Sequence, residues 1–305
     1  ALYAGGAALF ADVDPSTVNM SADALDVTLA EHPETKAVVP VHFAGLPCDM
    51  KAIRAVADKA GARVIEDAAH ALGGSFGDGN KVGSNAHSDM TVFSFHPVKA
   101  VAAGEGGVVT TNDEQLYRRL LRLRSHGINK LDDPFELPGQ AFEGGQQNPW
   151  YYEMQELGYH YRITDIQCAL ALSQLKKLDL FIARRRALAL SYDKAFLGFE
   201  NLRPAQSPEG RMLSGHHIYV LRIDFERIGR TRGELMLALR ERGIGTQVHY
   251  IPVPAHPLYR ELRCRPEDYP ASLAFYREAL TIPLYYDLSD EQQSHVITAL
   301  RELVG

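Results

Sequence analysis

The feature that most constrains this chain is the alternation, through residues 8–112, of short apolar runs with stretches of helical periodicity. Short apolar runs bury in a sheet, and an i, i+3, i+4 spacing buries one face of a helix. Their alternation therefore dictates an α/β fold, a mostly parallel sheet covered by helices. Residues 8–13 and 37–43 predict strands. Ser21 begins one helix, and Asp49 begins another that carries Ile53, Val56, Ala57 and Ala60 on one face and stops at Gly61. The next strand, 63–65, runs into Glu66 and Asp67. Carboxylates thus sit at the carboxyl end of a buried strand, the edge where open α/β sheets bind ligands. Residues 90–95 and 106–110 predict two more strands, with Lys99 on the loop between them. Asp113 starts a basic helix through Leu123, and a loop from Gly127 to about Asn148 has the length of a binding loop or of a disordered segment.

Thr164 onward predicts one long helix, with Ile166, Leu170, Leu175 and Leu178 among its apolar positions. A boundary near Phe181 divides the chain into a large unit, 1–181, and a small α+β unit, 182–305. In the second unit a strand is expected at 218–223, a helix from Thr231 to Arg242 ending at Gly243, a strand near 246–250, and two final helices. Two units suit the 305 residues, of which 46% are hydrophobic.

Charge and composition exclude several classes. The net charge of -6 is spread in mixed runs, with no basic stripe to neutralise phosphates, so no nucleic-acid partner is expected. Cys48, Cys168 and Cys264 are too few and scattered for a disulfide framework, which points to a reducing compartment, the cytoplasm. The 12 histidines and 3 cysteines lack the spacing of a zinc site, so no metal is expected. No apolar run approaches the length of a membrane span, and the start does not read as a signal peptide. The sequence opens at Ala1 inside an apparent helix end followed by Gly5-Gly6, and is expected to be part of a longer chain.

Asp67-x-x-His70 at one strand end and Ser94-Phe-His-Pro-Val-Lys99 after another supply what a pyridoxal cofactor requires. A lysine amine must condense with its aldehyde, and must lose its proton through desolvation or neighbouring charge. A carboxylate must face the pyridine nitrogen and keep it protonated, because the ring is the electron sink. Asp67 suits that role, Ser94 could hold the phosphate, and His70 could bond the ring oxygen. Lys99 would afterwards move the proton between substrate and cofactor carbons. Singly, each residue has a plainer reading. Lys99 would be a solvated charge, Asp67 a helix cap or half an ion pair, His70 and His96 structural histidines. The combination is far more specific than its parts.

Longer stretches carry a family resemblance. Val64-Ile-Glu-Asp-Ala-Ala-His-Ala-Leu-Gly73, the Lys99 segment with Gly104-Glu-Gly-Gly107, and Leu157-Gly-Tyr-His-Tyr-Arg-Ile-Thr-Asp-Ile-Gln-Cys-Ala-Leu170 resemble the DegT and DnrJ group of sugar aminotransferases. Pro149-Trp-Tyr-Tyr-Glu-Met-Gln155 and Gly245-Thr-Gln-Val-His-Tyr-Ile-Pro252 are most similar to its pseudaminic-acid pathway members, which aminate the 4-keto carbon of a UDP-linked 6-deoxy-N-acetyl sugar with glutamate as donor. The resemblance implies a fold-type I architecture, a cofactor of pyridoxal 5'-phosphate, and a homodimer with shared active sites. It implies that Lys99 bonds the cofactor, Asp67 pairs with the ring nitrogen, His70 lies near the ring oxygen and Ser94 binds phosphate. His249 and Tyr250 match the stretch lining the nucleotide-sugar site, and His126 lies near the site. His160 stands where the group has an asparagine that reaches the partner subunit's cofactor phosphate; histidine can also donate there. The group also has an earlier segment with a phosphate-binding helix start and a stacking aromatic, which would precede Ala1.

Rival readings are weaker. Gly77-x-Gly79 with Gly83 lacks the spacing of a dinucleotide-binding turn. A pyridoxal-dependent sugar dehydratase of the same group would carry histidine in place of Lys99. A catalytically silent relative is the remaining alternative.

Overall fold

The computed structural model describes residues 1–130, 133–262 and 264–305. β1 (Ala37–Val38), β2 (Arg63–Asp67), β3 (Met90–Ser94) and β4 (Gly107–Thr110) form one sheet in that spatial order. The first three run parallel and β4 is antiparallel to β3. α1 (Ala22–Glu31) and α2 (Met50–Lys59) begin where the sequence places caps: Ser21 accepts from the Ala24 N–H and Asp49 from that of Ala52. Each cap satisfies a backbone donor that the helix cannot, worth about 1 kcal/mol. Leu25, Leu29, Met50, Ile53 and Ala57 bury against Val38, Val64 and Phe93. Each large side chain so placed contributes roughly 1.5–3 kcal/mol.

Two expected strands are shorter than predicted. At 8–13 only Val13 bridges, to Met20, because the segment is drawn toward the second unit. The Asp12 carboxylate accepts from the N–H groups of Ala271 and Ser272. β1 stops at Val38, ahead of Pro40, which has no N–H to give a ladder; pairing returns only as a bridge between Val41 and Asp67.

α3 (Glu114–Arg124) follows its cap, Asp113. Residues 131 and 132 of the expected loop lie outside the described residues. The rest of that stretch contains β5 (Ile128–Asn129), α4 (Pro138–Ala141), β6 (Phe142–Glu143) and β7 (Gln146–Gln147), and β8 (Glu153–Met154) then pairs with β5. Gly144 and Gly145, at φ 56° and 80°, supply the two left-handed positions that a two-residue hairpin turn demands.

The single helix expected from Thr164 is two. α5 (Asp165–Leu175) carries a capping box of Thr164 and Gln167, and α6 (Leu178–Phe196) follows after Lys176 and Lys177. Phe181 falls inside the first turn of α6, so the helix runs through the expected boundary. Leu188, Ala189, Tyr192 and Phe196 on its later turns belong to a second apolar core. That core is completed by β9 (Leu202–Pro204), β10 (Tyr219–Ile223), α7 (Arg232–Glu241), β11 (Ala279–Ile282) and α10 (Asp290–Val304), with α8 (Pro257–Glu261) and α9 (Pro270–Glu278) alongside. The strands pair antiparallel in the order β11-β10-β9. No strand forms at 246–250. Gln247 bridges Thr281, and the next N–H, of Val248, goes to the Gln247 side chain, which ends the ladder. Among the described residues no helix is long and apolar enough to cross a membrane.

Candidate active site

β2 ends at Asp67, which is held from both sides. Its N–H donates to Pro40 O at 2.9 Å, its carbonyl accepts from His42 at 3.1 Å, and it registers with Val92 of β3. Its Oδ1 accepts from the Ala69 N–H at 3.1 Å. β3 ends at Ser94, opposite Gly107 of β4. A Cβ on Gly107 would lie 2.5 Å from Phe93 O, so glycine permits the close return of β4. Between them, the Phe95 N–H donates to Gly106 O at 2.8 Å and the Ala103 N–H to Phe95 O at 2.9 Å, fixing the loop that carries Lys99.

This loop leaves Lys99 half-buried, and burial pushes its pKa down while the Asp67 carboxylate pulls it back up. His70 is pushed down to about 3, and His249 in the same direction, by burial first and by the Lys99 charge second. Lys99, Asp67, His70 and His249 therefore share one electrostatic environment. His249 Nδ1 lies 2.9 Å from Thr281 Oγ1, whereas Tyr250 is exposed and stacks on His256. Ser94 Oγ accepts from the His96 N–H at 3.3 Å. His126 and His160 meet edge to face, ring centroids 5.1 Å apart, and Arg162 lies 3.0 Å from His160 Nε2. Among the described residues no hydrogen bond, ion pair or ring contact joins either of them to Lys99, Asp67 or His70.

Sequence reasoning missed two groups here. Beneath Asp67, fully buried Glu66 lies 2.7 Å from the Nε2 of fully buried His42, and also accepts from Thr91 Oγ1 at 3.1 Å and from Ser88. His42 Nδ1 accepts from the Cys48 N–H, so the Nε2 carries the proton that Glu66 receives. Burial raises the Glu66 pKa, but the bonds from His42, Ser88 and Thr91 outweigh it and leave the carboxyl below its usual range. Glu66, adjacent to Asp67, was legible as a strand-end acid; its partners were not. The second group is His217, whose ring centroid lies 4.4 Å from that of His70. A cleft of about 840 Å³ opens beside the Lys99 loop, with Val98, Thr246, Gln247, Thr281, Tyr285 and His295 among its walls. Gly79 sits in the turn closed by the Ser75–Lys81 bridge and Gly83 just past it, not between a strand and a helix, so no dinucleotide loop forms there. Among the described residues no group of three or more His, Cys, Asp or Glu is placed to hold a metal ion.

The family model for the DegT/DnrJ/EryC1/StrS aminotransferase family matches residues 1–301. The chain belongs to that family. The aminotransferase is 40% identical over 307 residues to the spore coat polysaccharide biosynthesis protein SpsC of Bacillus subtilis, an alignment spanning 99% of this chain and 75% of the relative. Among solved structures it is similar to Helicobacter pylori PseC, an aminotransferase involved in the biosynthesis of pseudoaminic acid, at a TM-score of 0.85 and 28% identity over 99% of this chain and 75% of that one. It is also similar to the sugar aminotransferase Spr1654 of Streptococcus pneumoniae in its PMP form, at a TM-score of 0.83 and 27% identity over 99% and 77%. The aminotransferase therefore has the fold-type I architecture, and its cofactor is pyridoxal 5'-phosphate.

Proposed function

We propose that the aminotransferase moves an amino group from glutamate to the 4-keto carbon of a UDP-linked 6-deoxy-N-acetyl sugar, in bacterial surface-sugar biosynthesis of the pseudaminic-acid type. The observation that carries the chemistry is a half-desolvated Lys99 amine within the field of Asp67 at the end of the parallel sheet. The likeness to PseC supports the sugar, and the identity with SpsC supports the polysaccharide setting. A soluble cytoplasmic enzyme fits nucleotide-sugar substrates.

The residues present fit the cofactor. The Lys99 amine is partly desolvated and feels the Asp67 carboxylate, and the buried His70 Nδ1 has no hydrogen-bond partner among the described residues. Lys99 would hold the cofactor covalently, Asp67 its ring nitrogen, His70 its ring oxygen, and Ser94, with His160 of a second subunit, its phosphate. When bound, pyridoxal phosphate supplies an electron-withdrawing ring that lets a C–H bond beside nitrogen ionise. Burial favours the uncharged Lys99 amine, so Nζ can take the proton from the substrate carbon and return it. Asp67, fixed at the strand end by its backbone bonds, would turn its carboxyl group to the ring nitrogen. His249, tied to Thr281, and Tyr250, exposed beside it, would line the nucleotide-sugar site, with His126 near it.

A homodimer is part of the proposal. Ile166, Leu170 and Leu172 of α5 stand exposed, as do Leu157, Tyr159 and Tyr161 before it. An apolar surface of that extent marks an association site.

The test is direct. The purified protein, pyridoxal phosphate and glutamate are incubated with a UDP-linked 4-keto-6-deoxy-N-acetyl sugar, and the product is examined by mass spectrometry and NMR. A new amine at C4 with release of 2-oxoglutarate is expected. Recovery of unchanged keto sugar, with amination of a different nucleotide sugar instead, overturns the substrate assignment.

A further inference from the structure

Two imidazoles of the cluster around Lys99, His249 and His217, come from the second unit. His217 is 7% exposed, and its ring lies 4.4 Å from that of His70 at an interplanar angle of 41°. Among the described residues its Nδ1 is buried without a hydrogen-bond partner, as is that of His70, and no hydrogen bond joins the two rings, so their contact is one of packing.

The backbone carrying His217 is held on both sides. Toward the first unit, the Gly215 N–H donates to Gly45 O at 2.9 Å and the His217 N–H to Ala44 O at 3.0 Å. The approach is as close as backbones allow. A Cβ on Gly45, already at φ 103°, would lie 2.8 Å from His216 N and 2.9 Å from His70 O. From the other side, Arg185 of α6, 6% exposed, directs Nη1 to the carbonyls of His216 at 3.3 Å, His217 at 2.9 Å and Leu284 at 2.9 Å. Among the described residues no carboxylate pairs with it. Burial lowers its pKa to about 10, so it stays charged at neutral pH. Desolvating a guanidinium without a counter-ion is expensive, and three converging carbonyls are the return visible here.

We infer that His217 is a positioning residue of the active site: its ring packs on His70 and sets the orientation of that imidazole, while Arg185 and the backbone of residues 44 and 45 fix the segment that carries it. The inference rests on the reading of His70 as a residue at the cofactor. Burial also keeps both rings uncharged at neutral pH, and two imidazolium ions at this spacing would repel.

The test compares His217→Phe, His217→Gln and His217→Ala in the intact protein with His70→Ala. One readout needs no cofactor: the ring signals of His70 in proton–nitrogen NMR spectra. They are expected to move in His217→Ala and His217→Gln and to stay near their native positions in His217→Phe, which keeps a flat ring at the contact. The other readout is the dissociation constant for added pyridoxal phosphate, followed by its visible band. Binding is expected to weaken about tenfold in the Ala and Gln variants, to recover in the Phe variant, and to fall no further when His70→Ala is added to His217→Ala. Unmoved His70 signals in His217→Ala, a Phe variant as impaired as the Ala variant, or fully additive losses would each overturn the inference. If His70→Ala binds pyridoxal phosphate as tightly as the native protein, the reading of His70 fails instead, and the ring signals alone decide the role of His217.

Discussion

At Lys99 two opposing effects meet: burial drives the proton off the amine, and the neighbouring Asp67 charge draws it back. An amine poised this way suits the two roles proposed for it, nucleophile and carrier of one proton. Lys99→Ala is expected to lack the visible band that the native protein forms with pyridoxal phosphate and that borohydride removes. Turnover should fall by roughly 100- to 10,000-fold. Asp67→Ala should keep the fold, judged by circular dichroism, yet lose turnover comparably; near-native activity would remove it from the ring nitrogen. These residues were legible because their chemistry announces itself locally, an acid at a strand end and a lysine after the next strand. His217 and Arg185 were not. They reach His70 and its surroundings only through tertiary packing, and nothing in Gly215-His216-His217 says which ring it will meet.

At the scale of elements, helix starts were the most readable feature. Ser21, Asp49, Asp113, Thr164 and Thr231 each accept from a backbone N–H where a capping residue should. Short strands were not readable. The pairing of β5 with β8, or the failure of 246–250 to extend the second sheet, depends on partners distant in the chain. α5 shows the other limit of periodicity. Periodicity names its apolar positions but not what covers them, and here Ile166 is 84% exposed and Leu172 58%. A row of that kind on a capped, regular helix needs a partner. Ile166→Glu is therefore expected to convert the proposed dimer to monomer in sedimentation velocity runs at micromolar concentration. Losing a buried isoleucine from each copy removes about 1.5–3 kcal/mol apiece, before the cost of burying the carboxylate. A variant that still sediments as a dimer places the interface elsewhere.

Over the whole molecule, burial of His70, His216 and His217 links the site to acid stability. Their pKa values fall from 6.5, His70 and His216 to about 3 and His217 lower still, chiefly through desolvation. The unfolded chain binds these protons and the folded chain does not. Stability is therefore level above the unfolded value and declines as pH drops from 6.5 toward 3. Each histidine contributes a slope of about 1.4 kcal/mol per pH unit at most within that window. The cofactor-free protein is expected to lose denaturant stability steeply from pH 6.5 to 5, and His217→Phe should flatten the slope; identical slopes would show that these rings titrate freely. The α/β architecture was legible from alternation alone, whereas the joining of the two units was not. The sequence placed the boundary between the units near Phe181, and in the structure that residue lies within α6.

That continuity has a mechanical consequence. α6 is 19 residues long, a rod of about 28 Å whose first turn lies beside Gly73 and whose last turns are embedded in the other core. Bending within α6 would break successive backbone bonds of the helix. Motion that admits substrate or releases product is therefore expected outside α6, at joints such as the Lys176–Lys177 break before it.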